Sequence, residues 1–166
     1  MSINQAFIGE LDYEMISTRK VLERIPAEKF DWKPHEKSMA MGIQANHLAD
    51  LFSWYKVTLE QDELDFAKGY EQPTATNAEE LVAILDKNFA EANESLRNAD
   101  PAIFTENWTL RSGEHVIFTM PRAALLRTFV ANHIVHHRAQ LAVYLRLNER
   151  TVPAIYGPSA DDQRFL

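Results

Sequence analysis

No cysteine occurs among the 166 residues, which removes disulfides, thiolate zinc sites and a cysteine nucleophile together. Any metal held by this chain must sit on histidine and carboxylate. Positive charge is also short, with 17 Lys and Arg against 24 Asp and Glu and a formal net charge of −7. Nucleic-acid binding rests on a basic face that displaces counterions from phosphates, so DNA and RNA are poor partners for this composition. No apolar run approaches the roughly 20 residues that span a bilayer, and no membrane role is expected. The first residues, MSINQAFIGELDYE, carry acids and lack a basic segment ahead of an apolar core, so a cytoplasmic protein is expected. Five Gly, seven Pro and 46% hydrophobic residues fit neither a fibrous nor a disordered chain. One domain over residues 1–166 is the natural reading of this length.

What is present is helical periodicity. Phe7, Ile8, Leu11, Met15, Thr18, Leu22 and Ile25 recur at spacings of three and four, predicting a helix over 4–25 that Pro26 stops. Residues 27–37, with Trp32, Pro34 and His35, read as an ordered loop, after which Ser38 can cap a second helix over 39–60. Its inward stripe reads Ile43, His47, Leu51, Trp54, Tyr55 and Thr58. A long acidic connection from Gln61 to Thr76 leads to a third helix, opened by the capping-box pattern Thr76-x-x-Glu79. Around the polar Ser112-Gly113 turn, residues 104–119 favour a short β-hairpin. Pro121 suits the first turn of a fourth helix reaching Leu147, with Leu126, Val130, His133, His137, Leu141 and Tyr144 on its buried stripe. Val152 to Pro158 reads as a tail packed on the helices. The expectation is an all-α four-helix bundle with a small β-hairpin before the last helix.

The histidines carry the chemistry. Residues four apart on a helix differ by about 40° around the axis and one turn along it, so His133 and His137 can close on one ion. His47, from the inward stripe of helix two, would be the third ligand, as bundle cores assemble metal sites from facing helices. Taken alone, a histidine on an apolar face is more often a hydrogen-bonded core or half-buried residue than a ligand, and the i,i+4 pair also arises by chance on exposed faces. Three rings buried on inward stripes would be costly without partners, and a shared ion removes that cost. Imidazole suits zinc, nickel and related divalent ions, with manganese or iron as further choices. Three protein ligands leave a position for water or substrate, the arrangement of catalytic zinc. His136 falls about 60° to the other side of His133 and belongs at the edge of the stripe. His35 and His115 read as surface residues. Asp50, three residues after His47, and Gln140, three after His137, are the weaker candidates for orienting a ligand or moving a proton. No His-Glu-x-x-His helix, Gly-x-Ser-x-Gly elbow or phosphate loop is present, and peptide hydrolysis is not expected.

The run Asn132-His-Ile-Val-His-His-Arg-Ala-Gln-Leu141, with Tyr144-Leu-Arg146 and the tail Val152-Pro-Ala-Ile-Tyr-Gly-Pro158, resembles the C-terminal part of the DinB-like (DinB/YfiT) family of metalloenzymes. Trp32-Lys-Pro34 and Ile43-x-x-x-His47-Leu-Ala-Asp50 resemble its N-terminal half. The resemblance implies an up-down-down-up four-helix bundle with a divalent metal on three histidines, matching His47, His133 and His137 here. Two departures stand out: Ala139 lies where many relatives have glycine, and Glu149 where a glycine often precedes the Val-Pro tail. The activities it implies are transfer or isomerisation with a low-molecular-weight thiol, and metal-dependent hydrolysis of a small molecule. A non-catalytic metal- or small-molecule-binding bundle is the rival class. Family members often form homodimers, and a small-molecule substrate is the partner implied.

Overall fold

The computed structural model describes residues 2–72 and 74–164; Pro73, in the connection between the second and third expected helices, lies outside the described residues, as do both extreme termini. Helix α1 (Ile3–Leu22) starts at a capping box: the Ser2 hydroxyl accepts from the Gln5 N–H, and the Gln5 side chain accepts from the Ser2 N–H. It ends before the expected Ile25, because a residue preceding proline is pushed out of helical conformation. The N–H groups of Arg24 and Ile25 bond back to Val21 and Leu22 in a tighter turn.

The expected second helix is two: α2 (Met41–Asp50) and α3 (Ser53–Glu60), separated by a turn at Leu51 and Phe52. Ser38 does not cap it. The first N–H groups of α2 are instead satisfied by the preceding loop, Met41 donating to the Trp32 carbonyl and Gly42 to that of Phe30, both at 2.8 Å. A Cβ on residue 42 would lie 2.3 Å from the Phe30 ring, so this close approach requires glycine. The buried face of α2 runs through Met41, Ala45, Leu48 and Ala49, while Ile43, expected inward, is 57% exposed. His47 is consequently at the border of the core stripe rather than inside it.

The hairpin is present as β2 (Asn107–Ser112) and β3 (His115–Pro121), turned at Gly113 with φ +59°. A third strand, β1 (Glu63–Asp65), lies within the long connection from Gln61 to Thr76 and pairs parallel with β2, giving the order β1-β2-β3. The all-α expectation is thus corrected to a mostly helical fold carrying a small three-stranded sheet. Helix α4 (Ala78–Asn98) is capped by Asn77, whose side chain accepts from the Glu80 N–H, while Glu80 reaches back to the Thr76 N–H. The cap lies one residue later than Thr76-x-x-Glu79, and because Glu80 accepts from the residue before the N-cap rather than from Asn77 itself, it is not the full reciprocal box.

Pro121 ends β3 and caps the last helical run instead of entering its first turn. That run comprises α5 (Arg122–Ala124), a π-helical stretch Leu125–Ala131 and α6 (Asn132–Leu147). The Thr128 hydroxyl donates to the Ala124 carbonyl at 2.6 Å within it, a side-chain bond that competes with the regular ladder. At the far end Arg150 N–H bonds to Leu145 O and Glu149 N–H to Arg146 O, a Schellman motif that sets Glu149 at φ 55°.

Helix α1 packs on α4 and α6, α2 on the same two, and α3 on α4 and the π stretch. Between them lie Leu11, Leu22, Met41, Leu48, Phe52, Leu81, Leu126 and Leu141, all fully buried. The C-terminal tail packs Val152, Ala154 and Ile155 against this core. No helix among the described residues is long and apolar enough to cross a membrane.

Candidate metal centre

Helix α2 and helix α6 lie side by side, and their contact brings His47, His133 and His137 together. One nitrogen from each ring lies within 4.8 Å of the others. Ring centroids are 5.0 Å apart for His47 and His133, and 4.7 Å for the pairs His47–His137 and His133–His137. The Nε2 atoms of His47 and His133 approach to 3.3 Å. Two nitrogens bound to one tetrahedral ion at 2.0–2.1 Å are separated by about 3.3 Å, so this spacing fits a shared cation.

The outer nitrogens show how the rings are aimed. Gln44, almost fully buried on α2, donates from its amide nitrogen to the Gln140 side-chain oxygen at 2.8 Å and to the His137 carbonyl at 3.5 Å. That leaves the Gln140 oxygen facing His137 Nδ1 at 3.0 Å, where an oxygen can only accept. His137 therefore carries its proton on Nδ1 and turns a lone pair on Nε2 toward the other rings. The exposed Gln72 amide lies 3.2 Å from His47 Nδ1. An ion on Nε2 of His47 requires the proton on Nδ1, and a half-turn of this amide supplies the acceptor. His133 Nδ1 is buried with no hydrogen-bond partner among the described residues. Its ring is held instead by an edge contact with Phe129, centroids 5.4 Å apart.

The rings are uncharged at neutral pH. Burial lowers each of the three to about 4, helped by the neighbouring histidines: His137 on His47, His47 and His136 on His133, and His133 and His136 on His137. Neutral imidazoles offer lone pairs without first losing protons.

The remaining expectations separate. Gln140 does hydrogen-bond into the trio. Asp50 is buried but makes no bond to any of the three rings; its Oδ2 accepts from the Tyr70 hydroxyl at 2.5 Å and its Oδ1 from Ser53 at 3.4 Å. Burial raises its pKa against those two hydrogen bonds. The side chains beside the trio's outer nitrogens are Gln140, at His137, and Gln72, at His47, rather than Asp50. His136 is exposed at the stripe's edge with its ring 4.9 Å from that of His137. His35 and His115 are exposed, as expected. Sequence reasoning missed Gln44, Gln72 and Phe129. Gln44 was within reach of it, lying three residues before His47 on the same helix; Gln72 was not, because only the folded connection brings it over α2.

Comparisons with known proteins agree with this arrangement at the level of fold. The DinB family model matches residues 5–164. The protein printed as Uncharacterized protein YrdA of Bacillus subtilis (strain 168) is 24% identical over 157 residues, 94% of this chain and 89% of that one. A crystal structure of a DinB-like protein of Bacillus subtilis (YjoA) superposes with a TM-score of 0.70 at 17% identity, covering 88% of this chain and 94% of that chain. A second, of a DinB-like protein from Bacillus cereus ATCC 10987, gives a TM-score of 0.68 at 23% identity over 92% and 97%.

Proposed function

The chain belongs to the DinB family, and from that premise we propose that it is a divalent-metal-dependent enzyme whose ion, zinc or nickel before manganese or iron, is held by His47, His133 and His137. Its reaction is the transfer of a low-molecular-weight thiol to a small electrophile. The observation that carries this reading is the 3.3 Å approach of two Nε2 atoms from separate helices, with the third ring aimed at the same point by Gln140. Bound there, a divalent ion supplies Lewis acidity, stabilising the anion of a thiol or water that takes the free position.

The chain's own residues do the rest. His47, His133 and His137 stay neutral through the physiological range because burial holds them near 4. Gln140 fixes which nitrogen of His137 faces inward, and Gln72, once its amide is turned, would do the same for His47. With no cysteine in the chain, the sulfur is a cosubstrate's. In the transfer the thiol proton passes to solvent, a sulfur lone pair forms the new carbon–sulfur bond, and the leaving group departs with the electrons of the bond it loses. Hydrolysis is the second reading, water taking the place of the thiol. Asp50 favours the first: Tyr70 and Ser53 engage its carboxylate, so the attacking group must shed its proton without that base. A thiol, of pKa about 8.5, meets this demand more readily than water at about 15.7.

The closed circuit of packed pairs, α1 on α4, α4 on α2, α2 on α6 and α6 on α1, supports a four-helix bundle, which we take as up-down-down-up. A cytoplasmic location, a small-molecule substrate and a homodimer belong to the same proposal. Metal-loaded protein assayed with glutathione, bacillithiol and mycothiol against alkyl and epoxide electrophiles, beside ester and amide substrates, tests it. Thiol consumption that disappears in His47→Ala supports transfer. Ester or amide turnover with no thiol consumption supports hydrolysis, and turnover undiminished in His47→Ala removes the proposed centre from the reaction.

A further inference from the structure

Beside the histidine trio stands a chain of aromatic rings drawn from four stretches of sequence. Phe129, in the π stretch, touches the His133 ring at 5.4 Å, Trp54 of α3 at 5.5 Å and Phe118 of β3 at 5.2 Å. Trp54 continues to Tyr70 at 6.1 Å and Phe66 at 6.4 Å, and those two lie 6.0 Å apart. Trp54 is buried, but Phe118, Phe129 and Tyr70 keep part of their surface in water and Phe66 is 38% exposed. The polar handles of this group are consumed internally. The Trp54 indole N–H donates to the Tyr70 hydroxyl at 3.0 Å, and that hydroxyl donates to Asp50. What the rings offer outward is carbon, and such surface gains from being covered by another flat apolar group. The π stretch contributes directly, since Phe129 sits within it and His133 follows one turn later. Insertions of this kind recur at functional sites because they re-aim side chains.

We propose that this wall seats a planar apolar group, an aryl ring or its equivalent, of the molecule that reacts at the His47–His133–His137 centre. The proposal rests on the metal reading above and adds the substrate class to it. Continuity is the argument for this occupant: Phe129 is in contact with the His133 ring and Phe118 with Phe129, and both keep part of their surface in water, so a molecule held at the centre has aromatic surface within reach of its apolar end.

Two chelators with the same metal-binding head and different tails test it, benzohydroxamate and acetohydroxamate, titrated into zinc-loaded wild-type protein and into Phe118→Ala and Phe129→Leu. Zinc uptake by each protein is measured first. We expect benzohydroxamate to bind wild type about tenfold more tightly than acetohydroxamate, and this advantage to shrink below about threefold in both variants. Zinc stoichiometry and acetohydroxamate affinity should stay unchanged in Phe118→Ala, which touches no ligand ring, so a shift there cannot come from a disturbed centre. Equal affinity of the two probes for wild type overturns the proposal, as does an advantage that survives both substitutions. Absence of zinc uptake by wild type defeats the metal reading alone. The wall is then read in the metal-free protein with benzyl alcohol: chemical-shift changes centred on Phe118 and Phe129 uphold it, and shifts elsewhere or none overturn it.

Discussion

His137 and Arg138 are neighbours on α6 and point about 100° apart around its axis, into different surroundings. Arg138, 1% exposed, meets the Glu14 carboxylate at 2.5 Å, the Glu14 carbonyl at 3.1 Å and the Tyr156 hydroxyl, with its guanidinium 5.2 Å from the Tyr156 ring centre. The Tyr156 hydroxyl also lies 2.9 Å from Glu14 Oε1, so one cluster ties α6, α1 and the C-terminal tail together. Every charge there has its partner. On a neighbouring face of the same helix three neutral rings converge, and the groups beside the outer nitrogens of His137 and His47 are uncharged amides, while that of His133 has no partner among the described residues. The difference separates scaffold from candidate site: charge is fully matched around Arg138, whereas the three neutral rings form a group that could hold a cation.

The largest effect in this comparison comes from unbalancing the matched side. Glu14→Ala leaves Arg138 buried without its carboxylate and should cost about 3–5 kcal/mol in urea unfolding. Zinc stoichiometry measured below the transition should be unchanged; a variant that keeps its stability but loses metal would show that the two sides are not separate.

Acid comes next and acts on the other side. Each ring of the trio is held near 4 in the fold against an ordinary value of 6.5, so between those two pH values the unfolded chain binds protons that the fold refuses. Stability of the metal-free protein should therefore fall as pH drops from about 6.5 through about 4, and level off below. His47→Ala should flatten that slope in thermal unfolding curves recorded across the window. Bound zinc should persist well below pH 6.5 and leave as the rings protonate near 4; release already complete at pH 6 would contradict the neutral, buried trio.

Removing an amide should be milder. Gln140→Ala frees His137 Nδ1 and should weaken zinc affinity about 10- to 100-fold, the usual loss when a ligand's outer hydrogen bond goes. A calorimetric titration showing no change would mean that packing alone aims the ring.

The smallest effect lies at the end of α6. Glu149 occupies a left-handed position, φ 55°, that favours glycine. Glu149→Gly should raise stability by up to about 1 kcal/mol without altering metal binding, read from the midpoint of urea unfolding. This position also connects to the sequence, where the resemblance leads one to expect glycine at residue 149: the left-handed backbone gives the reason that glycine would suit it.

Much of the molecule was readable from residue order. Helical spacing alone put His133 and His137 on one face, and the stripe through Leu126, Val130 and Leu141 correctly marked that face as inward. Less was readable where two patterns fit equally or where the partner is distant. Thr76-x-x-Glu79 and Asn77-x-x-Glu80 are indistinguishable as caps, and the second is used. Strand β1 is three residues long, and only its pairing with Thr109 to Arg111 makes it a strand. Asp50 was correctly placed along its helix relative to His47, yet Tyr70, arriving from the connection, claims its carboxylate. The π stretch carries no residue pattern of its own, although it sets Phe129 against His133.

The central claim is that one divalent ion is shared by side chains of α2 and α6. Zinc titrated at neutral pH into protein purified without metal-affinity steps, with elemental analysis of the dialysed product, tests it directly. The account predicts one zinc per chain in wild type and none retained in His47→Ala, His133→Ala or His137→Ala, each still folded. Stoichiometric zinc in all three variants, or failure of the wild-type chain to take up zinc, nickel, manganese or iron, would contradict it.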